Sequence, residues 1–409
     1  MKRVVITGIG AVTPLGNSFE RSWQGVLSGR SGISGITRFD ASGLPWAVAG
    51  EIRDFDAGTF LSVREMRRLD LFAQYAAASA MMAAQDSGLL DQSGGVNSRF
   101  SESGIVIGSS RGGIGTIEKA LSAGGTKAKR ISPYVMPATT INMAASYSAM
   151  KLGISGYCLG ISNACASGAN AIGEAYRLIM SGYNAPVFAG GAEAPVCRIC
   201  VEGYGAAGAL SRRQDPSASR PFSSARDGFV LSEGASVLVL EGLESALERG
   251  AGIYGEVIGY GSFVDAFHQT KPDPAGEAKA IMASFKDSGI MPGDVDYINA
   301  HGTSTRIGDI AEAEAIRQVF GDRAETIPCS ATKSVTGHMI AASGSFEAAC
   351  TVMALRDGVV PPSINLDEQD PLCRLRIITE RTVISPEIAL TSSFGFGGVN
   401  AVLLLRKYV

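Results

Sequence analysis

Short aliphatic and β-branched runs ending in glycine alternate with helical patterns along the whole chain, and that alternation leaves few folds open. "RVVITGIG" is followed by "LFAQYAAASAMMAAQDSG", then "ESGIVIGSS", then a helical pattern after Cys165, then "APVFAGG". Strands separated by helices build βαβ units around a largely parallel, buried sheet. After "GASVLVLEGLESALERGAGIYGEVIGYGSF" the plan restarts, with a helix at about 275–288, "DVDYINAHGTST", the helical "GDIAEAEAIRQVF", "IPCSATK", a helix through 343–356 and a final strand "AVLLL". The second half reads as a shorter copy of the first. No Pro/Ser-rich linker divides them, so the chain is expected to form two similar α/β halves, 1–258 and 259–409, that share one core. The polar segment 210–228 reads as a long ordered loop, a lid or a docking surface.

Composition excludes several classes. The 51 glycines among 409 residues follow no triplet period, so they mark strand ends and turns rather than a fibrous repeat. A net charge of −3 gives no global field for nucleic acid or anionic lipid. No apolar run approaches the roughly 18–20 residues of a membrane helix, and "MKRVVITGIGAVTPLG" reads as a strand and turn, so a cytoplasmic protein is expected. The 7 cysteines lack a disulfide framework. Cys197 and Cys200, in "CRIC", stand without a second pair or a nearby histidine and read as packing residues, so no metal is expected.

Within "GISNACASGANAIGEAYRLIM", residues 160–180, Cys165 stands where a helix starts, since Ala169, Ile172, Gly173, Tyr176, Ile179 and Met180 fall on one face. Unpaired N–H groups and the helix dipole favour an anion at such a place, which predicts a lowered thiol pKa. The small neighbours Ala164, Ala166, Ser167 and Gly168 leave room for a bulky acyl group and for N–H groups facing an oxyanion. A buried, inert cysteine is the competing reading. The 3 histidines weigh against it, because His301 and His338 both lie in Gly/Thr-rich turns after strand patterns, where loops present reactive groups. Lys333 precedes His338, and Asp309 and Glu312 follow His301 on one helix face. The two acids also suit an ordinary solvated helix N-terminus.

Taken together, "VVITGIGAVTPLG", "SGISGITRFD", "NACASG", "AGGAEA", "RPFSSARDGFVLSEGA", "NAHGTST", "TKSVTGHMIAASG" and "SFGFGGVNA" resemble the β-ketoacyl-acyl carrier protein synthases of the condensing-enzyme, thiolase-fold family, over nearly the whole chain. The nearest likeness is to the type II elongating enzymes. The resemblance implies a five-layered αβαβα sandwich, usually a homodimer. It maps a Cys-His-His triad onto Cys165, His301 and His338, with Lys333 and Glu312 as a supporting pair. Phe396 matches a gating phenylalanine whose N–H joins that of Cys165 in an oxyanion hole. Thr303 and Thr305 match positions on the pantetheine arm, where turn chemistry alone is the other reading, and Thr270 and Phe394 fall among the substrate-binding positions. Arg64, Arg67, Arg68, Lys129, Arg130 and Arg213 match the surface that docks an acidic acyl carrier protein. The reaction implied is decarboxylative condensation of an acyl group held on Cys165 with malonyl-carrier, without a cofactor.

Four positions depart from that pattern. Arg111 stands where elongating synthases carry a small or aliphatic residue at the acyl pocket, and a buried guanidinium there needs a partner: either the pocket is shortened, the acyl substrate carries polar groups or conjugated double bonds, or Arg111 pairs with a carboxylate across the dimer. Arg306, Val399 and Cys158 replace or adjoin customary residues in their motifs. These departures keep open a ketosynthase of a specialised polyketide or polyene pathway, paired with a chain-length factor. A non-catalytic chain-length factor is opposed by Cys165 itself. The order Cys165, then His301, also suits a Cys-His hydrolase, which would leave His338 and Lys333 idle.

Overall fold

A computed structural model describes residues 2–122 and 131–409. The first half runs β1 (Val4–Val12), α1 (Leu71–Asp86), β2 (Gly104–Gly108), α2 (Met143–Leu152), β3 (Cys158–Ile161), α3 (Ser167–Met180), β4 (Val187–Glu193) and β5 (Gly234–Gly242). The second repeats it as β6 (Gly255–Val264), α4 (Pro274–Ser288), β7 (Tyr297–Asn299), α5 (Arg306–Phe320), β8 (Pro328–Ser330), α6 (Ala341–Asp357), β9 (Ile388–Gly395) and β10 (Val399–Arg406). Strand order is β1-β5-β4-β2-β3 in one half and β6-β10-β9-β7-β8 in the other, with the short strand Arg376–Ile377 outside β8. The halves join where β1 pairs antiparallel with β6, Val4 opposite Val257. The expected boundary at 258/259 therefore falls inside β6.

The sheet is mixed rather than largely parallel. β2, β3 and β4 are mutually parallel, as are β7, β8 and β9, but β5 and β10 each run antiparallel to both neighbours. The reason is local. β9 and β10 form a hairpin around Gly397 and Gly398, both at positive φ, so no crossover helix intervenes.

Five layers follow from what each helix touches. α1 and α2 cover the outer face of the first half-sheet, α4 and α5 that of the second, and α3 and α6 lie between, packed against each other and against strands of both halves. α6 is buried on every side from Ala341 to Leu355, as a central-layer helix must be. Glycine lets the outer helices approach in the same way twice. A Cβ at Gly8 or Gly10 of β1 would collide with the α1 carbonyls of Ala83 and Ser79, and one at Gly259 or Gly261 of β6 with the α4 carbonyls of Ser284 and Ala280. Sharing that device, the halves are two copies of one unit.

Segment 210–228 is not a lid. Phe222, Ser223 and Arg226 in its inner stretch are buried, and Arg226 donates to the carbonyls of Thr305 and Arg306 and pairs with Asp370, so the segment buttresses the loop after β7. Among the described residues no helix is long and apolar enough to cross a membrane.

Candidate active site

Cys165 lies in the single turn Ala164–Ala166 that feeds directly into α3. Ala164 takes a left-handed φ of 47°, a strain of order 1–3 kcal/mol for a residue with a Cβ. The turn is clamped by Ser167, whose Oγ accepts from Asn163 N at 2.8 Å and donates to Ala164 O at 2.7 Å. β9 ends against it. A Cβ on Gly395 would lie 3.2 Å from Cys165 N, and the next residue, Phe396, donates its backbone N–H to the thiol.

Burial pushes the Cys165 thiol up to about 11, and Lys333, the Phe396 N–H and Arg111 pull the other way. The resting thiol thus stands above its usual range rather than below it, because desolvation outweighs the Lys333 and Arg111 charges and the Phe396 N–H.

His301 leaves β7 at the head of a loop gripped from behind by Glu312, which accepts from His301 N, Gly302 N and Ser392 Oγ, each at 2.7 Å. Glu312 is thus spent on the backbone of that loop and on Ser392, and Lys333 has a different ion-pair partner. The buried Lys333 ammonium pairs with Glu347 of α6, donates to His301 O at 2.6 Å and sits 3.2 Å from His301 Nδ1. An ammonium cannot accept, so Nδ1 must, and the ring proton is left on Nε2. Sequence reasoning missed Glu347, although a lone acid in "AASGSFEAACTVMAL" was a signal for a buried partner.

His338 stands 5.4 Å from His301, ring centre to ring centre and nearly perpendicular. Its Nδ1 is 3.0 Å from Ser343 Oγ, which already accepts from Met339 N at 2.9 Å. The hydroxyl proton finds no other acceptor, so it goes to Nδ1 and Nε2 again carries the hydrogen. That buried Nε2 has no hydrogen-bond partner. Burial and the Lys333 charge hold both imidazoles well below the usual histidine range, so both are neutral donors.

One cavity of about 530 Å³ brings Cys165, His301, His338 and Phe396 together with Thr270, Thr303, Thr305 and Phe394. The hydroxyls of Thr303 and Thr305 are 3.0 Å apart, and the Phe394 ring is 5.8 Å from that of His301. Arg111 does not line this cavity. It is exposed in the single chain, and its Nε donates at 2.9 Å to the hydroxyl of Tyr204, which does line it. Within the chain the partner of the guanidinium is thus a phenol. The other missed residues are Tyr204 and Phe229, which wall the cavity, and Ser343; the first two stood in apolar surroundings that resembled ordinary core.

Of the basic residues, Arg64 and Arg67 are on the surface, Arg68 lies over the Tyr134 ring at 4.3 Å, and Arg213 is half-buried, reaching Ala225 O. Lys129 and Arg130 fall outside the described residues. Cys197 and Cys200 are buried beside Val201 and Tyr204, and all 7 cysteines are free.

Comparison with known proteins gives a consistent picture. Residues 1–246 match the beta-ketoacyl synthase N-terminal domain and residues 254–367 the C-terminal domain. The chain is 44% identical over 414 residues to a 3-oxoacyl-[acyl-carrier-protein] synthase 2 of Synechocystis, covering 100% of this chain and 98% of that one. Among solved structures, the ishigamide ketosynthase/chain length factor matches with a TM-score of 0.91 at 35% identity, each chain covered in full. A type II PKS acyl-carrier protein in complex with its ketosynthase matches with a TM-score of 0.90 at 33% identity, again over the whole of both chains.

Proposed function

The chain belongs to the β-ketoacyl synthase family, and from that premise we propose how its residues divide the work. It is an acyltransferase that condenses an acyl group with malonyl-acyl carrier protein, with loss of CO₂, to give 3-oxoacyl-acyl carrier protein in fatty acid chain elongation.

Cys165 attacks the thioester of an acyl-carrier protein. The acyl carbon gains a bond to Sγ and loses its bond to the carrier's sulfur, which departs with the thiol proton. Malonyl-carrier then enters, and the Nε2–H groups of His301 and His338 donate to its thioester oxygen. As the C–CO₂ bond breaks, its electron pair passes into an enolate that those two donors stabilise. The enolate carbon attacks the acyl–Cys165 carbonyl, whose oxygen is held by the N–H groups of Cys165 and Phe396, and Cys165 leaves. Two neutral imidazoles lining the cavity of a clamped cysteine, with His338 Nε2 free of any partner among the described residues, are the observation that carries this reading. Incubation with octanoyl- and malonyl-carrier protein tests it. Release of CO₂ together with a 3-oxodecanoyl-carrier mass is expected, and octanoate with no carbon gain would instead indicate a Cys-His hydrolase.

Thr270, Thr303 and Thr305 line the way the pantetheine arm takes, and Arg64, Arg67, Arg68, Lys129, Arg130 and Arg213 receive the acidic carrier protein. The partner is a second copy of the chain. Among the described residues strand β3 pairs only with β2, leaving a sheet edge beside Tyr157 and Cys158, and an exposed edge of this kind invites pairing. Light scattering on the intact chain should read twice 42.4 kDa, whereas a monomer would contradict the pairing. Seven free cysteines suit a reducing cytoplasm.

A second reading, a ketosynthase of a specialised polyketide or polyene pathway working with a chain-length factor, is favoured by Arg111. Arg111 stands outside the cavity but holds the hydroxyl of Tyr204, which lines it, so it bears on the acyl group through that phenol, and a polar or conjugated chain suits such a wall better than a saturated one. Octanoyl and conjugated dienoyl groups should therefore load better than palmitoyl. Arg111→Ile should shift the palmitoyl-to-octanoyl ratio roughly tenfold toward palmitoyl, the effect of about 1.4 kcal/mol, and leave malonyl decarboxylation nearly unchanged. Efficient palmitoyl loading by the unmutated enzyme would remove this second reading.

A further inference from the structure

Five carboxyl-bearing residues line the active-site cavity, and four of them are engaged by hydrogen bonds. Asp227 accepts from Ser211 Oγ and Arg212 N, and Asp265 from Asn400 Nδ2 and Asp273 N. Asp309 accepts from Phe222 N through Oδ2, which lies 3.4 Å from Arg226 Nε, and leaves only its Oδ1 without a partner, while Glu312 holds the His301 loop. Glu277, on the first turns of α4, is different. It is 1% exposed, it lines the cavity that holds Cys165, and its Oε2 has no hydrogen-bond partner.

We propose that Glu277 is a substrate-positioning residue whose carboxylic acid donates a hydrogen bond to an amide carbonyl of the thioester-bearing arm as it passes to Cys165. The inference rests on the reading of this cavity as the thioester channel. Placement supports it, since Glu277 shares its wall with Thr270, Thr303 and Thr305. Charge supports it as well. The groups acting on Glu277 are Glu312 and Asp309 from α5, Asp265 from the loop after β6 and Asp273 from its own helix cap, all acids. Lys279 on the same helix is engaged over the Phe263 ring at 5.4 Å. Burial and these acids together hold the carboxyl well above its usual range, so it keeps its proton and offers an O–H. A buried donor without a partner destabilises the empty protein, and a carbonyl that arrives with substrate satisfies it. An amine would take the proton rather than accept it, so the chemistry selects a neutral acceptor.

The test compares Glu277→Gln, which keeps a neutral donor, with Glu277→Leu, which removes it. Both are assayed with an acyl-pantetheine thioester and with a truncated thioester that lacks the amides. Glu277→Leu is expected to raise KM for the pantetheine thioester about tenfold, the loss of one hydrogen bond, with kcat little changed and KM for the truncated substrate unaffected. Glu277→Gln should stay near the unmutated enzyme, and Glu277→Leu should melt no lower than it. Equal KM values for Glu277→Leu and the unmutated enzyme would overturn the proposal, as would equal damage in both variants or a lowered melting temperature with loss confined to kcat. Absence of condensation in the unmutated enzyme would instead defeat the ketosynthase reading itself.

Discussion

Cys165→Ala should abolish acyl loading and lower condensation by about 10⁶-fold, the scale seen when a nucleophile is removed from an otherwise intact site. No other cysteine can substitute. Cys329, Cys350 and Cys373 are buried in the core, Cys197 and Cys200 are packed behind Tyr204, and Cys158 is on the far sheet edge. Cys165→Gln should behave differently, because its amide imitates an acylated thiol. That variant is expected to decarboxylate malonyl-carrier faster than the unmutated enzyme while forming no condensation product. The CO₂ release assay decides it, and background release from Cys165→Gln would count against the enolate step.

His301→Ala and His338→Ala should each cut malonyl decarboxylation about 10²–10³-fold, as expected for one lost donor at a developing oxyanion. Acyl loading should fall far less, because the thiol proton leaves with the carrier's sulfur and needs no imidazole. Loading should also rise with pH in both variants, since below a thiol pKa of about 11 each pH unit brings more thiolate. Single-turnover loading and decarboxylation, measured separately, distinguish the steps. Equal loss of both would make a histidine the base for Cys165. Lys333 and Glu347 act through His301, fixing its tautomer, so Glu347→Ala should damage decarboxylation and also lower stability by about 3–5 kcal/mol, the cost of stranding a buried ammonium.

Much of this architecture was legible because the elements are strongly periodic. The alternation of strand and helix patterns, the restart after 250 and the position of Cys165 at a helix start all correspond to what the fold shows. Strand direction was not legible. β5 and β10 have the composition of their parallel neighbours; β10 is reversed by a short hairpin, and β5 only by the long connection 194–233 that returns the chain antiparallel. Within the site, the loops announced His301 and His338 through glycine and threonine. Their partners were hidden because Glu347 and Ser343 come from α6, a helix in which every residue through Leu355 is buried and no face marks a role. Glu312 shows the limit most plainly. Its spacing from His301 marked only a helix face shared with Asp309, whereas the fold turns it toward three donors, each at 2.7 Å, on β9 and the His301 loop. Arg111 likewise could not be placed without Tyr204, a residue far away in the chain.

The central claim is that one thiol carries the growing chain. Intact-protein mass spectrometry after incubation with a panel of acyl-carrier proteins, followed by peptide mapping, tests it directly. The unmutated enzyme should gain the mass of a single acyl group on the peptide containing Cys165, and Cys165→Ala should gain none. An acyl group found on another residue, or retained by Cys165→Ala, would contradict the account.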